Sequence, residues 1–185
     1  MCGFTGFLSR STPDVTALHA MGDSIIHRGP DEEGYYTDDH CAIAHRRLSI
    51  IDLAHGHQPM TSPDGRYILA YNGEVYNFQA LRTQLQELGH TFQTTSDTEV
   101  VLHGYMEWGP EVTGKLRGMF AFVIWDTQTK TLYGARDPFG IKPFYYAPMG
   151  DTFFFGSELK SFLPHPDFKK ELNREALKFY LTFQY

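Results

Sequence analysis

The residue with the most chemistry in reach is Cys2, next to the initiator Met1. Methionine is commonly trimmed when the second residue is small. Trimming here would leave a thiol and a free α-amine on one residue. The amine, with an ordinary pKa of about 8, is partly neutral at cellular pH and can take the thiol proton directly or through water. One residue would then be both nucleophile and base. Gly3 would let the backbone approach a substrate closely. The competing reading is an apolar cysteine in a buried strand, and position 2 taken by itself favours it.

Asn72-Gly73-Glu74 follows an apolar run. Asn-Gly is the strongest short hairpin signal, yet the next segment has helical spacing. A strand end carrying Asn and Gly could form an oxyanion hole from the Asn72 amide and the Gly73 N–H. Arg46 and Arg47 end another apolar strand. Adjacent strand residues face opposite sides, so only one can enter a given pocket and offer its fork to a carboxylate. Two surface arginines are the plainer reading. Asp97 sits in Ser96-Asp97-Thr98-Glu99, a capping-box pattern where an acid suits the helix dipole. It could instead recognise an ammonium group. His55-Gly56-His57 reads as a loop rather than a metal site, and Asp126, Asp137 and Glu158 fit turns and helix starts. No C-x-x-C, H-E-x-x-H or P-loop is present, so no metal is expected.

These residues need elements to position them. Strands are predicted at 2–8, 34–37, 41–49, 66–72, 119–125, 131–135, 143–147 and 152–156. A helix should open at Thr12-Pro13-Asp14, with Thr12 as cap, and run to about Ile26. A second should span 76–88, with Phe78, Leu81, Leu85 and Leu88 on one face. A third should follow Ser96 and stop at Gly109-Pro110. The later strands are joined by short polar turns, which favours antiparallel pairing. Several strands are apolar at consecutive positions and so must be covered on both faces. A layered protein of mainly antiparallel sheets with helices outside satisfies this.

The 185 residues, 42% apolar, suffice for one sizeable core and the start of another unit. The net charge of −6 and the lack of a basic run argue against nucleic acid as a partner. No apolar run approaches the ~18 residues of a membrane span, and no secretory signal is evident. Two cysteines and no leader suggest a cytoplasmic protein. The final segment, with Leu177, Tyr180, Leu181 and Phe183, reads as an aromatic helix needing something to pack on. It is expected to be the cut end of a longer protein.

Taken in order, the motifs resemble class II glutamine amidotransferases, a family of N-terminal nucleophile hydrolases. They are Met1-Cys2-Gly3-Phe4-Thr5-Gly6-Phe7, His45-Arg46-Arg47-Leu48-Ser49-Ile50, Tyr71-Asn72-Gly73-Glu74-Val75-Tyr76-Asn77, Ser96-Asp97-Thr98-Glu99 and Arg136-Asp137-Pro138-Phe139-Gly140-Ile141-Lys142-Pro143. Phe4-Thr5 departs from the more usual Ile-Ala. Glu74 resembles the glutamine-hydrolysing asparagine synthetase branch. The resemblance implies an α+β fold, a four-layer αββα sandwich with two mainly antiparallel sheets between helical layers. It implies a glutaminase domain over 1–170 and the start of a linker or synthetase domain over 171–185.

It further implies that Cys2 attacks the glutamine amide, Asn72 and Gly73 hold the oxyanion, Arg47 binds the α-carboxylate, and Asp97 and Glu74 meet the α-ammonium. Glutamine is the implied substrate, and a C-terminal synthetase domain the implied partner, with a homodimer left open. This domain should need no cofactor. ATP and Mg²⁺ belong with the synthetase part, whose S-G-G-x-D-S loop is absent here. Two alternatives stay open: a different amide-forming acceptor, or an unprocessed module that binds glutamine without turnover. If Met1 is retained, the amine mechanism fails.

Overall fold

The structure is a computed structural model that describes residues 2–48 and 56–184. Among these, nine strands form two antiparallel sheets. The first comprises β1 (Gly3–Ser9), β2 (Glu32–Thr37), β3 (Cys41–Arg47), β8 (Tyr145–Met149) and β9 (Thr152–Gly156), in the order β2-β3-β1-β9-β8. The second comprises β4 (Met60–Thr61), β5 (Tyr67–Val75), β6 (Gly118–Asp126) and β7 (Thr131–Arg136), in that order.

Side-chain alternation explains the layering. On β3, Ile43 points to the interior between the sheets, while Ala42 and Ala44 point outward under helix α1 (Val15–Asp23). On β6, Ala121, Val123 and Trp125 face that same interior, while Phe120, Phe122 and Ile124 face the opposite side. There they meet α2 (Phe78–Glu87) and α3 (Asp97–Trp108). Strands apolar on both faces thus demand three apolar layers, and the result is helix, sheet, sheet, helix. The expected four-layer α+β fold is the one observed. Trp125 spans the central layer, and its indole N–H donates to Asp38 Oδ2 at 2.8 Å.

Local chemistry altered several boundaries. Asp14, not Thr12, caps α1 by accepting from the Thr16 and Ala17 N–H groups. That helix ends at Asp23, and a 3-10 turn over Ile26–Arg28 follows. In α2, Leu81 and Leu85 are buried but Leu88 is exposed beyond the last turn. The β7 and β8 strands do not pair, because the chain crosses from one sheet to the other between them. Several short elements had no signal in the sequence, among them β4 and helix α4 (Val112–Lys115). Helix α5 (Arg174–Phe183), capped by Asn173, keeps its aromatic residues exposed. The predicted strand tail at Ser49, Ile50 of the arginine motif, and His55 lie outside the described residues. Met1 and Tyr185 do too.

Candidate active site

β1 is the central strand of its sheet, with Gly3 opposite Arg46 of β3. Cys2 therefore sits just before the strand, beside the end of β3. Its Sγ accepts from Leu48 N–H at 3.4 Å and approaches the Leu48 carbonyl at 3.6 Å. Its carbonyl accepts from Arg28 Nε at 3.0 Å, and Arg28 Nη1 is in turn tied to Glu158 at 2.9 Å. Sequence reasoning missed Arg28, because the stretch around it reads only as a helix terminator. Its partner Glu158 is remote in the chain, so no local pattern could reveal the clamp.

The two adjacent arginines part as alternation requires. Arg46 turns outward to the end of α1, bonding the Gly22 carbonyl at 3.2 Å and pairing with Asp23 and Glu33. Arg47 turns toward Cys2, with Nη1 2.9 Å from Glu32 Oε2. His57 pairs with the same Glu32.

The Asn72-Gly73 pair is neither a hairpin turn nor a strand end. β5 runs on to Val75, with Asn72 opposite Ala121 and Gly73 opposite Phe120. What frees the backbone here is instead a strand edge that β4 leaves uncovered. β4 pairs only with Leu69 and Ile68. Beyond it, Tyr71 N–H donates to Gln58 Oε1 at 2.7 Å, and Val75 N–H donates to Asp97 Oδ2 at 2.9 Å. Alternation places the Gly73 N–H on the same edge, between those two. A Cβ on Gly73 would lie 2.6 Å from the Met119 carbonyl, so no side chain fits there. The Asn72 side chain is buried, and its amide nitrogen has no hydrogen-bond partner among the described residues.

Asp97 opens α3 and is fixed from β5. Its Oδ2 accepts from Tyr71 O–H at 2.6 Å as well as from Val75. Burial first, then the neighbouring Asp97 charge, hold the Tyr71 phenol well above its ordinary pKa, so it remains a donor. Ser96 caps the helix through Glu99 N–H at 3.4 Å, but only half of the capping box forms. The Glu99 carboxylate instead accepts from the Gln93 and Thr94 N–H groups, each at 2.8 Å, and so pins the loop that delivers Asp97.

All six residues singled out in the sequence, Cys2, Arg47, Asn72, Gly73, Glu74 and Asp97, line one cavity of about 320 Å³. That size suits one small ligand. Gln58 and Lys142 also line it and were not foreseen. A larger hollow of about 570 Å³, bounded by the β8–β9 turn, contains none of the six. Among the described residues, no cluster of three or more His, Cys, Asp or Glu could hold a metal. No helix among them is long and apolar enough to cross a membrane.

His45 supports this region from β3. Its Nε2 meets the Tyr71 carbonyl at 3.0 Å, while Nδ1 is buried without a partner among the described residues. Donation to a carbonyl places the proton on Nε2. Burial pushes its pKa down to about 4 from an ordinary value of 6.5. Between those values the unfolded chain binds a proton that the native chain does not. Stability supplied by neutral His45 is therefore full above about pH 6.5 and is lost as pH falls toward 4, roughly 3 kcal/mol in all. His45→Gln should flatten that slope. Urea unfolding at pH 7 and pH 5 measures it, and an equal stability loss in both proteins would refute the assignment.

The family model for the glutamine amidotransferase domain matches residues 1–185. The chain is 46% identical over 190 residues to asparagine synthetase [glutamine-hydrolyzing] 1 of Bacillus subtilis, covering 100% of this chain and 30% of that protein. It is 42% identical over 182 residues to asparagine synthetase [glutamine-hydrolyzing] 3 of the same organism, covering 96% and 30%. It thus spans about 30% of the length of these curated relatives. Among solved structures, the glutamine phosphoribosylpyrophosphate amidotransferase of B. subtilis superposes with a TM-score of 0.72 at 25% identity, covering 87% of this chain and 43% of that one. By sequence and by architecture, the chain belongs to the glutamine amidotransferase domain family.

Proposed function

We propose that this chain hydrolyses the side-chain amide of free glutamine, with Cys2 as nucleophile. The observation that carries the reading is the unpartnered Asn72 amide nitrogen, buried in the same cavity as the Cys2 thiol. A buried donor left unsatisfied costs about 1–3 kcal/mol, and an incoming oxyanion would relieve that cost. After removal of Met1, the α-amine of Cys2 takes the thiol proton and the thiolate attacks the amide carbon. The tetrahedral oxyanion is held by Asn72 and the Gly73 N–H. The ammonium returns its proton to the leaving nitrogen, ammonia departs, and a γ-glutamyl thioester remains. Water, deprotonated by the same amine, attacks the thioester and releases glutamate.

The rest of the cavity suits the rest of an amino acid. Arg47 binds the α-carboxylate, while Asp97 and Glu74 face the α-ammonium. In a longer protein built like the B. subtilis synthetases, the ammonia passes to a second domain that makes asparagine. The ATP and Mg²⁺ for that step belong with that domain.

Arg47→Ala tests the substrate assignment. It should lower kcat/KM for glutamine by about 100-fold, mainly through KM, since the carboxylate is held equally in ground and transition states. The wild type should correspondingly be poor on the α-methyl ester of glutamine. An unchanged KM, with the ester accepted as well as glutamine, would remove free glutamine as the substrate.

A further inference from the structure

Lys142 is only 4% exposed, a rare state for a lysine outside a pairing or functional site. It lines the cavity that holds Cys2 and Glu74. Its backbone is clamped on both sides. The Lys142 N–H donates to Asp137 Oδ2 at 3.0 Å, and its carbonyl accepts from Arg136 Nε at 2.6 Å. Asp137 also collects the N–H groups of Phe139, Ile141 and, at the edge of β6, Phe120. Arg136 Nη2 takes the Gly140 carbonyl at 2.6 Å. Gly140 has φ of +63°, and a Cβ there would press on the Arg136 guanidinium at 3.0 Å. A loop tied by these bonds therefore places Lys142 in the cavity wall and largely out of water.

We propose that Lys142 is an electrostatic positioning residue that favours the thiolate of Cys2. The inference rests on the glutaminase reading above and adds a residue to it. Among the described residues, the negative charges that act on the ammonium include Cys2 once ionised, Glu74 of β5 and Asp137 of its own loop, and Arg28 opposes it from the 3-10 turn. Arg47 of β3 and Asp97 of α3 face the same cavity. Burial, chiefly, holds the Lys142 pKa below its ordinary value, with the Cys2 and Glu74 charges working against that fall. A cation in a desolvated site acts on a neighbouring anion more strongly than one in water. The thiolate, which is the attacking form, is the species that gains.

The test reads Cys2 directly, without glutamine turnover. The full chain, with Met1 shown absent by intact mass, is alkylated with iodoacetamide from pH 5 to pH 10, and peptide mapping separates Cys2 from the buried Cys41. In Lys142→Met, the midpoint of the Cys2 rate curve should rise by about one pH unit. Because a more basic thiolate is also a better nucleophile, the rate at pH 7 should fall only about threefold. Lys142→Arg should keep the wild-type midpoint. A midpoint unmoved in Lys142→Met overturns the proposal, even if that variant has lost ammonia release, since a merely structural lysine would behave so. A midpoint raised equally in Lys142→Arg overturns it too. Should Lys142→Met fail to fold, Lys142→Gln removes the same charge and is read by the same criteria. Normal charge coupling with no glutaminase activity in the wild type would instead count against the function proposed above.

Discussion

Cys2→Ala is expected to abolish ammonia release from glutamine while leaving the fold intact. No other thiol can substitute, because Cys41 is wholly buried on β3. Removing a covalent nucleophile from a coupled catalytic set commonly costs roughly 10⁴-fold or more. The structural cost should be slight. The Cys2 side chain is half-buried, and among the described residues its sulfur's hydrogen bonds are the two weak ones to the Leu48 backbone. The Arg28 clamp grips the Cys2 carbonyl, which alanine retains. Ammonia assays on both proteins, with thermal melts alongside, would check this. Turnover within tenfold of wild type would exclude Cys2 as the nucleophile.

Asn72→Ala should separate catalysis from stability in the opposite sense to most buried polar substitutions. The loss of one oxyanion donor lowers kcat by about 10²–10³-fold, with KM little changed, because the charge develops only in the transition state. Deleting a buried hydrogen-bonded donor usually destabilises the fold. Here the amide nitrogen has no partner among the described residues, so no donated bond is lost with it. The melting temperature should therefore hold, apart from the small effect of a cavity. Steady-state kinetics and a thermal melt decide the matter. A kcat within threefold of wild type, or a loss confined to KM, would take Asn72 out of the oxyanion site.

Much of the site was legible because its parts are local motifs with one physical reading each. Alternation along β3 required Arg46 and Arg47 to diverge, and they do. Consecutive apolar residues on β6 required cover on both faces, which is the four-layer arrangement. What stayed hidden depends on partners far away in sequence. Arg28 gains meaning only from Cys2 and Glu158. Gln58 gains it from the Tyr71 N–H, at an edge that β4 leaves open after two residues. Asn72-Gly73 misleads as a turn signal because tertiary pairing with β6 overrides local preference. The capping box failed in its second half because two loop N–H groups competed for Glu99. Lys142 follows a turn that reads as ordinary punctuation until the fold carries it into the wall of the cavity that Cys2 also lines.

The most direct measurement is ammonia release from glutamine with intact mass recorded on the same sample. Cys2 acting through its own α-amine demands that active molecules lack Met1. Turnover proportional to the fraction of chains without Met1 is the expected result. Full turnover by a sample that retains Met1 throughout would contradict the amine-assisted thiol at the centre of the mechanism.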